Sequence, residues 1–169
     1  MRIRSREEGA AAVEFAIVAS LLFMILFGII EFGIVFNRFQ GLQAGAREGA
    51  RLGSIQTATV GQIMDRTRAA VSMIDTSSAN EVCPIDNTAG HYCITITTTN
   101  TTWSQTSTQT AGCTSASGTT ACQTVPCQTT SGSGTGQITV QVQYKMKITI
   151  PLWASPLATV SGAGQFNCE

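Results

Sequence analysis

Residues 8–36 read EGAAAVEFAIVASLLFMILFGIIEFGIVF. Between Glu14 and Glu31 lie 16 uncharged residues, Phe15 to Ile30. As a helix rising about 1.5 Å per residue they extend about 24 Å. The whole apolar run, Ala10 to Phe36, is long enough to cross a hydrocarbon core of about 30 Å. It contains no Pro, and its Leu, Ile, Met and Phe suit a helix. This predicts one membrane-spanning helix over 10–36. The preceding segment, MRIRSREEG, carries Arg2, Arg4 and Arg6. Basic residues favour the cytoplasmic side, which predicts a cytoplasmic N-terminus and an exported remainder. A cleaved secretory signal fits poorly. The nearest small-x-small site, Ala44-Gly45-Ala46, lies well beyond the run, past Glu31, Asn37 and Arg38.

Beyond the span, residues 37–80 read as a continuation of the helix, with Leu42, Ile55, Ile63, Met64, Val71 and Ile74 on a loose apolar face. Gly41, Gly45, Gly49 and Gly53 recur every four residues. Each costs about 0.8–1 kcal/mol against Ala in a helix interior. The stripe reads either as a groove for another helix or as a weak helix that kinks outside the membrane.

Residues 81–169 form the rest, a Cys-rich head. No charged residue occurs between Asp86 and Lys145, and 31 of the 40 residues in 97–136 are Ser, Thr, Gly, Asn or Gln. Such a stretch buries little apolar area and is expected as a long exposed loop. Strand patterns flank it. Tyr92 to Thr99 alternates, and Ile138, Val140, Val142, Tyr144, Met146, Ile148 and Ile150 keep strict period two up to Pro151. Leu157 to Phe166 offers a third short strand. The expected fold class is α+β: a long N-terminal helix carrying a small antiparallel sheet, packed on the helix of 55–75, with disulfide-tied loops.

Composition narrows the function. Ten basic side chains cancel ten acidic ones, so no net field favours nucleic acid. The six cysteines, Cys83, Cys93, Cys113, Cys122, Cys127 and Cys168, all follow the span, on the side expected to be oxidising. Fifteen pairings are open. Closing the loop from Cys83 to Cys93, for example, would contribute about 3 kcal/mol. With no CxxC pair and one His, neither a metal site nor a redox pair is expected, and no cofactor. His91 shows no nucleophile and carboxylate partners in the sequence, so an enzyme is not expected. Trp103 and Trp153 read as packing residues, with stacking on a sugar as the other reading.

The junction between leader and span carries the chemistry. Glu14 lies four residues into an apolar helix, where a carboxylate is costly. A cut after Gly9 would give Ala10 a free ammonium group and make Glu14 the fifth residue. Its carboxylate would then neutralise the ammonium of a neighbouring subunit and set axial register. Otherwise Glu14 snorkels to headgroups in a simple anchor. Glu31 reads likewise as interfacial, or as an inter-subunit contact with Arg38 of a neighbour. Ala12, Ala16, Ser20 and Gly28 share one face of the span.

This junction resembles a type IV prepilin processing site through Gly9, Ala10, Glu14 and Phe15. The strings EEGAAAVEFAIVASLLFMILFGIIEFG and LQAGAREGARLGS, the latter holding Ala46-Arg47-Glu48-Gly49-Ala50-Arg51, resemble the TadE-like family of the tight-adherence (Flp) pilus system. ITVQVQYKMKITIPLWASPL is similar to that family's terminal strand and turn. The Thr/Ser/Cys stretch 97–136 has no counterpart in the resemblance. The resemblance implies a non-enzymatic minor pilin or pseudopilin with residues 1–9 as cleaved leader. Its implied partners are the inner membrane, a prepilin peptidase, other pilins and pseudopilins, and the pilus assembly platform. It implies a head in the periplasm or carried into an extracellular pilus. The alternative is an unprocessed single-pass anchor whose head is a binding or adhesion module.

Overall fold

A computed structural model describes residues 4–100, 104–108, 112–127, 136–149 and 155–169. Helix α1, Arg4–Gly53, runs for 50 residues, about 75 Å at the usual rise. Its first part stands alone, with Phe15, Ile17, Leu21, Ile25 and Ile29 exposed. From Leu42 onward it enters the core, where Leu42, Ala46 and Ala50 are fully buried.

The helix does not continue through residue 75 as the apolar spacing suggested. It ends at Gly53, where Ser54 N–H bonds back to Ala50 O and the Ser54 hydroxyl to Arg51 O. A new helix, α2 (Val60–Ala70), starts at a reciprocal cap: Gln62 N–H donates to Thr59 Oγ1 and Thr59 N–H to Gln62 Oε1. Thr-x-x-Gln is a helix-start signal within the sequence, and it outweighs the loose apolar periodicity around it. α2 folds back antiparallel to α1. Cβ positions built on Gly49, Gly45 and Gly41 would meet Thr67, Val71 and Met73 in turn, and one on Gly53 would meet Ile138 first and then Ile63. The glycine stripe is thus a groove filled mainly by side chains of the chain's own returning segment, with Ile138 closing it at Gly53.

A 3-10 turn (Ser78–Asn80) leads to strands β1 (Tyr92–Asn100) and β2 (Ser104–Thr108), the short helix α3 (Thr120–Gln123), then β3 (Gly136–Lys147) and β4 (Leu157–Asn167). The sheet is fully antiparallel in the order β2-β1-β3-β4. Its inner face presents Ile94, Ile96, Ile138, Val140, Val142, Met146 and Val160 to the core. The sheet was expected to pack on the helix of 55–75. Instead α1 lies directly on β4 and β3. Gly162 and Gly164 make that possible, because a Cβ on either would strike the α1 backbone at Leu42–Gln43 or Ala46–Arg47.

The Thr/Ser-rich stretch departs from the exposed loop expected of it. Thr97–Asn100 completes β1 and 104–108 supplies an edge strand, with a register irregularity between Ile96 and Thr98. Backbone hydrogen bonding makes a strand there without a large apolar face. Gly112–Cys127 is held by covalent and polar ties. Disulfides join Cys83 to Cys93, Cys113 to Cys122, and Cys127 to Cys168. The last closes the longest loop, worth about 4 kcal/mol on the chain-entropy account.

A buried ion pair supplies the polar tie. Arg68 of α2 donates to Glu81 Oε2 at 2.7 Å, and the Glu81 side chain is 0% exposed. Gly112 N–H donates to the same oxygen at 3.1 Å, and Ser115 N–H to Asp65 Oδ2 at 2.7 Å. Burial disfavours the Arg68 cation, but the hydrogen bond and charge of Glu81 outweigh it and hold the guanidinium above its ordinary value. Burial, then the Glu81 charge, pushes the Tyr92 hydroxyl up. Arg68 Nε and Glu81 Oε1 have no hydrogen-bond partner among the described residues, so the pair is costly to bury.

Two outcomes follow for stability in detergent. Gly162→Ala and Gly164→Ala each lose about 1–3 kcal/mol in denaturant titration, because the sheet must lift from α1. Gly118→Ala, where an added Cβ meets nothing within 4 Å, stays close to the parent; equal losses at all three positions would sink this account. Arg68→Met leaves Glu81 as an uncompensated buried charge and costs about 3–5 kcal/mol, whereas Arg68→Met with Glu81→Leu loses much less. Additive losses in that double-mutant cycle would refute the pairing.

Candidate functional site

The predicted processing and assembly residues all sit on the free end of α1. Gly9, Ala10, Glu14 and Phe15 are exposed, Phe15 to 74%. A Cβ on Gly9 would meet nothing. Glu14 lies one helical turn beyond Ala10, about 6 Å along the axis. Among the described residues Glu14 has no hydrogen-bond or ion-pair partner within the chain. The structure therefore leaves the junction and its neighbouring helix surface exposed, with none of the other described residues folded against it. Met1–Ile3 of the leader lie outside the described residues.

The helix between junction and head is long and apolar enough to cross a membrane. Among described helices it alone has that character. Within it the Ser20 hydroxyl bonds back to Ile17 O at 2.8 Å, satisfying a polar group locally. Near its far end Phe32, Phe36 and Phe39 stack in series, with ring centroids 6.2 and 6.5 Å apart. Val35 and Arg38, on another face, are partly covered by the head. Arg38 lies over the Tyr144 ring at 5.4 Å and donates to its hydroxyl at 3.4 Å. This contact fixes the helix against β3 where it leaves its apolar run, and it occupies the cation that sequence reading offered to Glu31 of another subunit.

The segment Ala46–Arg51 divides between two tasks. Ala46, Gly49 and Ala50 are buried against the sheet and α2. Glu48 reaches across to α2, accepting from Arg66 Nε at 3.0 Å. That hydrogen bond holds the Glu48 carboxyl below its usual range. Arg47 and Arg51 point into solvent. The motif thus acts in building the head on the helix.

Chemistry elsewhere is sparse. All six cysteines are in disulfides. No group of His, Cys, Asp and Glu among the described residues could hold a metal ion. His91, read as lacking a carboxylate partner, does have one: its Nδ1 lies 2.8 Å from Asp86 Oδ1. Asp86 also accepts from the Thr88 amide and hydroxyl, and these contacts, the amide first, hold its carboxyl below the usual range. The Thr88 hydroxyl is spent on Asp86 and not on His91, so the cluster closes a loop and forms no nucleophile relay. Trp103 and Trp153 lie outside the described residues. So do Ile150 and Pro151.

Sequence reading missed the Arg68–Glu81 pair and the two glycines of β4. Both had a visible trace: a carboxylate two residues before a cysteine, and glycines two residues apart in Val160–Gly164. Neither trace names its partner.

The chain matches no curated protein and no solved structure significantly. Its residues 9–51 match the family described as TadE-like protein. The matched segment begins at Gly9, includes the apolar run, and ends at Arg51 in the last turn of α1. The long helix that bears the open junction at one end and the head at the other is thus, over residues 9–51, similar to the TadE-like family.

Proposed function

We propose that the chain is a minor pilin or pseudopilin of a tight-adherence (Flp) type IV pilus, acting in its assembly, priming or tip. It crosses the bacterial inner membrane once, with its N-terminus in the cytoplasm and its head in the periplasm. A prepilin peptidase removes residues 1–9, and the product joins other pilins at the assembly platform, where it serves surface attachment. The reading is of a structural protein without catalysis.

The observation that carries this reading is the placement of Gly9-Ala10 and Glu14-Phe15 on an uncovered helix end. Gly weakens a helix by about 1 kcal/mol relative to Ala, so the bond after Gly9 is the cheaper place to unwind for a peptidase. After cleavage, the Ala10 ammonium and the Glu14 carboxylate would present opposite charges one turn apart on a helix otherwise apolar. Within a single subunit the two share a helix. Between subunits staggered by one turn, each ammonium meets a neighbour's carboxylate in a medium of low dielectric, where the attraction is strong. The head supports the orientation, because its three disulfides suit an oxidising compartment. Basic leader residues favour the opposite side.

The N-terminal residue of the protein from cells with active prepilin peptidase tests the reading. Ala10 is expected first, and Gly9→Val should block its appearance. Glu14→Gln should leave cleavage intact and abolish or strongly reduce recovery of the protein with pili. An intact Met1 in those cells would point to the unprocessed anchor, with the head as its binding module.

A further inference from the structure

The head reaches down the helix farther than a span ending at Phe36 requires. Gly162 lies against Leu42 and Gln43, and Gly164 against Ala46 and Arg47. β4 therefore ascends parallel to α1, and its start lies toward the apolar run. Strand residues rise about 3.3 Å and helix residues about 1.5 Å, so each strand residue matches about two on the helix. Two independent contacts agree with this scale. Tyr144, paired with Val160, meets Arg38, and Ala158 and Val35 both pack on the base of the core. By this scale Leu157 comes level with Glu31 and Phe32. The end of the sheet formed by Lys147 and Leu157 thus lies alongside the last turn and a half of the apolar run.

The charges of this end are unusual for the chain. Lys145 and Lys147 are its only lysines, and after Asp86 the only other charged residue is Glu169. Glu169 sits at the opposite end of the sheet, its N–H bonded to Ser54 O. The lysines alternate with buried Tyr144 and Met146, so they project from the sheet face turned away from α1. Lys145 donates to Thr159 Oγ1 at 3.1 Å, and Lys147 is exposed beside Leu157, itself 41% exposed. Apolar stems with ammonium tips suit a boundary between hydrocarbon and headgroups. The exposed Phe32, Phe36 and Phe39 edge lies at the same level on the helix.

We propose that this end of the head is a lipid-docking surface: Leu157 dips into the outer headgroup layer of the membrane that α1 crosses, and Lys145 and Lys147 bind anionic lipid phosphates. The surface holds the head on the bilayer before the subunit leaves it. The occupant is lipid because the apolar and basic groups are continuous with the span and lie at the depth of its edge. The proposal rests on the reading of α1 as a span, and the test separates the two.

The full chain, with Trp103→Phe and Trp153→Phe, is reconstituted in vesicles of phosphatidylcholine and phosphatidylglycerol whose acyl chains are brominated, in parallel preparations, near the headgroup to probe position 157 and near the chain end to probe position 25. Single reporters are placed as Ile25→Trp in the span, Leu157→Trp at the proposed surface and Gln165→Trp at the far end of β4. Bromine should quench the first two and leave the third. Quenching at 25 without quenching at 157 overturns the docking surface while keeping the span, and a blue-shifted but unquenched reporter at 157 would mean that protein covers it instead. No quenching at 25 overturns both. Lys145→Gln with Lys147→Gln should lower the quenching of Leu157→Trp in phosphatidylglycerol vesicles to its level in pure phosphatidylcholine. An unchanged signal overturns the phosphate assignment.

Discussion

The approach of β4 to the backbone of α1 sets the geometry of everything else in the head. Gly162 and Gly164 remove the side chains that would stand between strand and helix, and Leu42, Ala46 and Ala50 fill the remaining space. A rigid contact of this kind allows one sheet to be carried on a single helix that continues for some 30 residues beyond it (about 45 Å, by the usual rise) without support. Dispersion at such short range is collectively large, and it needs no water-exposed hydrophobic area on the strand itself.

Opposite β4, the glycine groove of α1 accepts α2. The same helix thus has two close-packed sides over three turns, one built for a strand and one for a helix. This explains the density of small residues in Gly41–Gly53 better than contacts between subunits do, since those surfaces are already taken. Among the described residues, the uncovered faces of α1 lie between Gly9 and Ile30 and along the Phe32–Phe36–Phe39 edge.

The polar segment 112–127 solves a different problem. It has too little apolar surface to hold itself in place by burial. Two disulfides, the Arg68–Glu81 pair and the Asp65 contact to Ser115 replace that missing burial with covalent and directional ties. A buried ion pair is a poor source of net stability, because desolvation cancels much of its attraction. Its value here is registry: only one placement of 112–115 gives Glu81 its backbone donor.

Sequence alone determined the long apolar helix, the period-two strands that the structure shows at 92–100 and 136–147, and the likeness to a pilus family. These are local signals, written in runs and spacings whose physical meaning does not depend on what they touch. It also located the cysteines but not their pairs, since pairing depends on which loops the fold brings together. The tertiary structure decided what sequence left open. It broke the helix at Ser54, where the Thr59–Gln62 cap competes with continued propagation, and turned the glycine stripe inward onto α2. It gave the Thr-rich stretch a strand, because backbone hydrogen bonds to β1 do not require apolar side chains. It put the sheet on α1, a choice made by two glycines more than 110 residues away in the chain. And it brought Lys145, Lys147 and Leu157 level with the end of the apolar run, a juxtaposition fixed by the parallel course of β4 and α1 that no local pattern encodes.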